Sequence, residues 1–176
     1  MLIDRLLYNH ALRRQHRTPV VFPHYEQCKH ILLLFDEADW TAIAPSVQRL
    51  RGEGRQLTAV AYLPHAKKDM PAPSDYVRVT KHDFSCVARP KDEQTSLLQQ
   101  HYDLLIALNR TPSLPTQWMA LLANADFKTG KASPQQFESK TQVLDFMIQL
   151  PEAEEANVHY LLEQILYYLQ HITPQQ

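Results

Sequence analysis

Two short, uninterrupted apolar runs constrain the fold of this chain more than any other feature. The first, Ile31 to Phe35, stops abruptly at Asp36 and Glu37. The second, Leu104 to Leu108, follows Asp103 and ends at Asn109. Such runs are too short and too uniformly apolar for a surface helix, and they are typical of parallel strands that are buried on both faces of a sheet. The sequence therefore predicts a sheet with two central parallel strands.

The segments around these runs predict the remaining layers of an α/β domain. Further strands are expected at 57–63, 76–80, 125–129 and 143–148, and helices at 40–50, 92–101, 114–123 and 156–172. Asp39 is expected to cap the first of these helices, and Gly52 and Gly54 to end it. The acidic residues Glu152, Glu154 and Glu155 are expected in the first turn of the last helix. Strand, helix and strand in succession build parallel sheets, so we predict a three-layer, Rossmann-like α/β domain with a mainly parallel sheet of five or six strands.

The first eighteen residues have the pattern of an amphipathic basic helix. Its apolar positions recur at helical spacing, and they are Leu2, Leu6, Leu7 and Ala11. Its basic residues are Arg5, Arg13, Arg14 and Arg17. The helix is expected to end at Thr18, because the residue before a proline is disfavoured in helical geometry. We therefore predict a basic helix and linker over residues 1–23, and a single α/β domain over residues 24–176.

Length and composition narrow the class of protein. A chain of 176 residues with a formal charge of −1 can bury a core without disulfides or metals, and its composition excludes disordered, collagen-like and coiled-coil proteins. The two cysteines, Cys28 and Cys86, form no disulfide framework. The sequence shows neither a signal peptide nor an apolar run of the roughly 20 residues that span a bilayer. We expect a cytoplasmic protein.

Glycine is scarce, which argues against the common nucleotide-binding sites. The chain has 3 glycines and 12 prolines, and no glycine lies between the first strand and its helix. Loops that hold phosphates need glycines there, because only glycine lets the backbone approach the ligand closely. We therefore expect no dinucleotide or P-loop site and no cofactor.

Two stretches resemble a bacterial family that is catalogued only as a domain of unknown function. One runs from Ile31 to Asp36 with the helix and strand that follow, and the other comprises 102–109 and 125–131. Residues 80–90 also fit a loop of that family that is rich in lysine and aspartate. The resemblance covers nearly the whole chain and implies a basic N-terminal helix, a small α/β domain and a C-terminal helix. It implies no activity.

The stretch 102–131 is also similar, more weakly, to the N-terminal half of bacterial heptosyltransferases. Enzymes of that type need a second α/β domain to hold the nucleotide sugar, and the chain has no length for one. This similarity supports a Rossmann-like sheet and argues against that activity.

Polar residues that follow the predicted strands form the candidate ligand site, because ligands of open parallel sheets bind beyond the carboxyl ends of the strands. These residues are Asp36, Asp39, Lys81, Asp83 and Asn109. Asp36 and Asp39 are either Mg²⁺ ligands or simply the end of a strand and a helix cap. Lys81, His82 and Asp83 are either an anion clamp with a proton donor or a solvated loop.

Two further groups contain residue types that can carry chemistry. His24, Cys28 and His30 are of metal-binding types, but a fourth ligand is not evident, so no metal site is expected. Cys86 lies in no known catalytic signature. We predict no catalytic residue.

The basic helix is the best functional lead. Its arginines, Arg5, Arg13, Arg14 and Arg17, suit a protein or nucleic-acid complex, and peripheral contact with an anionic membrane is a further option. Its apolar side is equally compatible with packing on its own domain or in a dimer. We predict a non-catalytic binding or accessory protein that docks through this helix. The alternative is a small enzyme or ligand sensor that uses the residues at the carboxyl edge of the sheet.

Overall fold

The computed structural model describes residues 2–14, 21–65, 70–111, 113–132 and 142–172. Its strands are β1 (His30–Asp36), β2 (Gln56–Leu63), β3 (Val77–Thr80), β4 (Tyr102–Ala107), β5 (Ala125–Lys131) and β6 (Phe146–Ile148). Its helices are α1 (Leu2–Arg14), α2 (Trp40–Gly52), α3 (Asp92–Leu98), α4 (Leu114–Leu122) and α5 (Val158–His171). The six strands form one sheet in the order β3-β2-β1-β4-β5-β6, and every neighbouring pair is parallel.

The helices cover both faces of this sheet, which confirms the predicted three-layer Rossmann-like fold. Side chains of β1 alternate between the faces, as the strand period of two requires. Ile31, Leu33 and Phe35 face the core formed with α2 and α5. Leu32 and Leu34 face a second core, to which α3, α4 and Tyr8 of α1 contribute. Because both faces are covered, β1 is apolar throughout its length, and this is why it could be recognised in the sequence.

The end of α3 and the start of α5 differ from expectation. α3 ends at Leu98 and not at 101. The acidic residues expected in the first turn of the last helix lie before it, in and beside a separate turn at Glu152–Glu154. α5 begins instead behind Asn157, whose Oδ1 accepts a hydrogen bond from the backbone N–H of Tyr160 at 3.0 Å. A side chain that accepts this N–H satisfies a helix terminus directly, whereas an acidic group acts through the dipole over a longer distance.

Part of the predicted linker belongs to the core. The ring of Phe22 packs against the rings of Phe127 and Phe146, with centroid distances of 5.0 and 5.7 Å. The expected helix end at Thr18 lies outside the described residues. Phe22 therefore packs the segment before β1 against the sheet.

A buried lysine connects β5 with α4. Lys128 is a strand residue whose ammonium donates hydrogen bonds to the carbonyl oxygens of Ala120 and Leu121, at 2.9 and 3.3 Å. Carbonyl groups in the last turn of a helix lack partners within the helix and carry partial negative charge, so a cation is stabilising there. This contact explains how a charged residue can be placed inside the sheet.

No helix in the part of the chain that the structure describes is long and apolar enough to cross a membrane.

Candidate functional site

The strand order places a reversal of direction at the centre of the sheet, between β1 and β4. β2 and β3 extend from β1 to one side, and β4, β5 and β6 extend to the other. The connections that leave β1 and β4 therefore diverge, and they leave a crevice beyond the carboxyl ends of these two strands. In folds with this strand order, that crevice is where ligands bind.

Asp36 and Asn109, two of the residues named as a candidate ligand site, meet at this crevice. Asn109 is buried, and its side-chain amide donates a hydrogen bond of 2.8 Å to Asp36 Oδ1. The backbone N–H of Arg110 donates a hydrogen bond of 3.1 Å to Asp36 Oδ2. Both oxygens of the carboxylate thus tie the end of β1 to the loop after β4.

Asp39 occupies the predicted position before α2 but does not cap it with its side chain. It pairs instead with Arg110, whose Nε lies 3.2 Å from Asp39 Oδ2. Burial raises the pKa of Asp39, the guanidinium of Arg110 opposes this effect, and the charge of Asp36 adds to it. The capping prediction is therefore wrong for this residue, because its backbone is helical (φ −91°, ψ −4°), whereas a capping residue normally has extended backbone angles.

Arg110 also bears on the magnesium hypothesis. Its guanidinium supplies positive charge beside Asp39, and its backbone N–H occupies an oxygen of Asp36. A divalent cation bound by both carboxylates would have to displace these contacts. The residues present therefore do not fit an open Mg²⁺ site.

Glu37 forms a second network at the same edge, which the sequence analysis missed. Its carboxylate accepts hydrogen bonds from the hydroxyl of Tyr76 at 2.6 Å and from the guanidinium of Arg78 at 2.5, 2.8 and 3.0 Å. Burial alone would raise the pKa of Glu37, but the hydrogen bonds from Arg78 and Tyr76 and the charge of Arg78 outweigh burial and lower it. No sequence signal indicated this pairing, because Glu37 and Arg78 are 41 residues apart.

Lys81 and Asp83 do not join the cluster at the crevice. They follow β3, which lies two strands away from β1, a separation of about 10 Å at the usual strand spacing. Asp83 caps its own turn by accepting hydrogen bonds from the backbone N–H and the hydroxyl of Thr80, at 2.7 and 2.9 Å. Lys81 and His82 are exposed. A binding role for Lys81 and Asp83 stays a prediction, separate from the crevice.

A small cavity lies next to the crevice, beyond the ends of β4 and β5. Its volume is about 40 Å³, and its lining includes Tyr8, Asn109, Thr116 and Lys131. Such a volume admits about three water molecules. The two strands approach closely here because of Gly130, since a Cβ at this position would lie 2.6 Å from the carbonyl oxygen of Ala107.

α1 forms one wall of this cavity and packs on its own domain through one side. Tyr8 is buried and contacts Trp118 edge to face, with a centroid distance of 5.3 Å. Ala11 and Leu12 pack against the same core. The opposite side of the helix carries Ile3, Leu6 and Leu7, which are between 46% and 67% exposed.

The predicted docking arginines lie on the exposed part of α1 where they are described. Arg5, Arg13 and Arg14 are exposed, and Arg17 lies outside the described residues. The contact of Tyr8 with Trp118 shows that α1 packs on its own domain, one of the options that the sequence left open, and this packing uses only one side of the helix.

The cysteines and histidines that the sequence analysis singled out lie apart from one another in the described part of the chain. His24, Cys28 and His30 do not come together as a metal-binding group among the described residues. Cys28 is buried and its thiol faces the carbonyl oxygen of His24 at 3.7 Å. Burial, together with the nearby charge of Asp103, raises the pKa of Cys28 to about 11. Cys28 is therefore a packing residue and not a thiolate, and Cys86 is exposed in a turn.

The model of a family of unknown function, DUF6913, matches residues 3–172. The chain belongs to this family. The predicted resemblance to an uncharacterised family is thereby confirmed, and membership in DUF6913 assigns no activity.

The other comparisons add no function. No curated protein matches the sequence. Among solved structures, the TT0316 protein from Thermus thermophilus is similar over 99% of this chain and 62% of its own length, with 12% identity and a TM-score of 0.38. This chain thus spans less than two thirds of that protein. The heptosyltransferase similarity is not shown by these comparisons.

Proposed function

We propose that this DUF6913 protein is a non-catalytic binding or accessory protein that docks on an acidic protein surface through the exposed side of α1. The observation that supports this proposal is the division of α1 into two sides. One side is held on the domain by Tyr8, and the other presents three large aliphatic side chains with no packing role in the two cores. A cytoplasmic location belongs to the same proposal.

The exposed side changes from apolar to basic along the helix. Positions seven apart lie on nearly the same side of a helix, so Arg13 lies in line with Leu6, and Arg14 lies in line with Leu7. A partner that matches this side offers an apolar groove at one end and acidic groups at the other.

The aliphatic residues favour a protein over bare nucleic acid as the partner. A phosphate backbone would match the arginines, but it would leave Ile3, Leu6 and Leu7 exposed to water. A protein groove that covers such side chains gains about 1.5 kcal/mol or more for each one that is fully buried. An acidic protein of a nucleic-acid complex satisfies both requirements.

Variants on the two halves of this side test the proposal. We expect the full-length protein, immobilised and exposed to native lysate, to retain an acidic protein partner. Leu6→Glu combined with Leu7→Glu should abolish retention, and Arg13→Ser combined with Arg14→Ser should weaken it at low salt, because salt screens only the charged contacts. The matched control is Val21→Glu, since Val21 is an aliphatic residue that is 74% exposed outside the helices.

The outcome separates the partner classes. If the Leu6/Leu7 variant retains its partner as well as the wild type does, α1 is not the docking element. Capture of naked RNA by the wild type, or co-sedimentation with vesicles of anionic phospholipid in the absence of protein, would replace the protein partner by another class. Each result contradicts the proposal as stated.

The crevice between β1 and β4 supports a second candidate function, a small-molecule enzyme or sensor. The specific observation is that Asp36, Asn109 and Arg110 form one hydrogen-bonded group at the place where this fold binds ligands. The half-exposed guanidinium of Arg110 suits an anionic group of a ligand. We expect an anionic metabolite to raise the melting temperature of the wild type but not that of Arg110→Ala. Arg89→Ala, which removes another exposed arginine, is the control.

A further inference from the structure

Three metal-binding side chains meet at the amino edge of the sheet, opposite the crevice. His101 immediately precedes β4, Asp103 lies in β4, and Asp126 lies in β5. The register pairs Tyr102 with Ala125 and Leu104 with Phe127, which brings Asp103 and Asp126 side by side. His101, directly before β4, lies beside this pair, with its Nε2 3.2 Å from Asp126 Oδ1.

The donor atoms of this group are already close together. His101 Nε2 lies 3.1 Å from Asp126 Oδ2, and one ligand atom from each of the three residues lies within 4.8 Å of the others. Around a metal with bonds of about 2.1 Å, neighbouring donors are separated by about 3 to 3.5 Å. His101 and Asp126 are exposed, so their side chains are free to make the small movement that remains.

The carboxylate of Asp103 is held in place by backbone groups outside the cluster. Its Oδ2 accepts hydrogen bonds from the backbone N–H groups of Lys29 and His30, at 2.6 and 2.8 Å. These bonds fix the carboxylate and leave Oδ1 available. Hydrogen bonds to a ligand from groups outside the site orient it and typically contribute about 10- to 100-fold to metal affinity.

The charges at this edge also favour a cation. Two carboxylates lie beside each other on adjacent strands, an arrangement that is repulsive without a positive partner. Asp126 contacts the imidazole of His101, and Asp103 accepts hydrogen bonds from two backbone N–H groups. No arginine or lysine forms an ion pair with Asp103 or Asp126 among the described residues.

We propose that His101, Asp103 and Asp126 form a binding site for one divalent transition-metal ion of the zinc class. One imidazole nitrogen and two carboxylate oxygens suit Zn²⁺ and its neighbours, whereas Mg²⁺ and Ca²⁺ prefer oxygen donors alone. Exposure of the site leaves the remaining coordination positions to water. The proposal is independent of docking through α1, because the two features lie on different parts of the molecule.

Calorimetric titration of the full-length, chelator-treated protein with Zn²⁺ tests the site, and Co²⁺ serves as a visible probe of its geometry. We expect one equivalent to bind and to raise the melting temperature. His101→Gln and Asp126→Asn should each weaken binding at least about tenfold. His82→Gln and Asp92→Asn remove an exposed histidine and an exposed aspartate elsewhere, and they should leave the affinity unchanged.

Two results would overturn the site. One is equal loss of affinity in the control variants and the site variants, which would indicate weak binding by surface histidines in general. The other is a wild type that binds no Zn²⁺ at micromolar concentrations. The thermal unfolding of each metal-free variant, expected to resemble that of the wild type, shows that a loss of binding is not a loss of folding.

Discussion

The acidic residues at the two edges of the sheet have different kinds of partner. At the carboxyl edge, Glu37 pairs with Arg78 and Asp39 pairs with Arg110, so each of these carboxylates has a permanent cation from the chain itself. At the amino edge, Asp103 and Asp126 have backbone N–H groups and a histidine as partners. Glu37 and Asp39 therefore have cations of the chain itself beside them, although Asp36 at the same edge has only amide and backbone N–H partners. At the amino edge, neither Asp103 nor Asp126 forms an ion pair with an arginine or lysine among the described residues.

The largest loss of stability is expected for a substitution of Gly130, at the carboxyl edge of the sheet. In Gly130→Ala, the new Cβ would lie 2.6 Å from the backbone oxygen of Ala107, so β5 has to move away from β4. We expect the free energy of unfolding to fall by about 3 kcal/mol, as measured by urea denaturation. Gly52→Ala is the control, because no atom lies within 4 Å of its added Cβ, and it should change stability by less than about 1 kcal/mol. Equal effects of the two substitutions would show that the strands are not closely packed at Gly130.

Removal of the Arg78 side chain tests how far the ionised Glu37 depends on its cation. Arg78→Ala leaves the carboxylate of Glu37 largely buried and without its cation, while the hydroxyl of Tyr76 still donates to it. We expect a loss of about 2 kcal/mol, measured by the same denaturation. The variant that also carries Glu37→Gln should recover part of this loss, because the second substitution removes the unpaired charge. A double variant less stable than Arg78→Ala would contradict this account.

The same pair predicts a dependence on pH. The pKa of Glu37 is lower in the folded protein than its ordinary value of 4.5, so ionisation favours the folded state. The stability that Glu37 contributes is present above about pH 4.5 and is lost as the pH falls through its folded pKa. Thermal unfolding between about pH 3 and pH 6 should show a steeper loss for the wild type than for Glu37→Gln. Parallel curves would mean that Glu37 is not stabilised as an anion.

A smaller effect is expected at the hydrogen bond between the β1 and β4 loops. Asn109→Ala removes the hydrogen-bond donor to Asp36 Oδ1. The backbone N–H of Arg110 still donates to Asp36 Oδ2. We expect a loss of about 1 kcal/mol in the free energy of unfolding. Asn124→Ala, which removes an exposed amide with a long hydrogen bond of 3.4 Å, is the control and should have less effect.

The smallest effect is expected at the amino edge in the absence of metal. His101→Gln removes an exposed contact to Asp126, and exposed ion pairs contribute little. We expect a change of less than about 0.5 kcal/mol in chelator-treated protein. A loss as large as that of Arg78→Ala would show that the amino edge stabilises the fold as the carboxyl edge does, and the contrast between the edges would disappear.

The sheet could be predicted from the sequence because a strand that is buried on both faces is a continuous apolar run. β1 and β4 appear as apolar runs, and the turns after them contain the polar residues Asp36 and Asn109 that meet in the structure. Pairings between residues that are distant in the sequence produce no such local pattern. The partners of Glu37 and Asp39 depend on where the chain returns in three dimensions, and neither Arg78 nor Arg110 differs in local context from any surface arginine.

The same reason explains the group at the amino edge. His101 and Asp103 are neighbours in the sequence, but Asp126 joins them only through the register of β4 with β5. Sequence motifs for metal sites are defined by the spacing of ligands along the chain. They do not detect ligands that come from different strands of a sheet. The side of α1 that packs on the domain could not be read either, because Tyr8 is one aromatic residue among several apolar positions.

The contact between Tyr8 and Trp118 gives the position of α1 an optical signature. The chain has only two tryptophans, and the other, Trp40, stacks on Phe35 with a centroid distance of 5.6 Å. Trp118 is 4% exposed, and detachment of α1 would bring water to its indole ring and shift its emission to longer wavelengths. In a Trp40→Phe variant, intrinsic fluorescence therefore reports whether the helix stays on the domain when a partner binds.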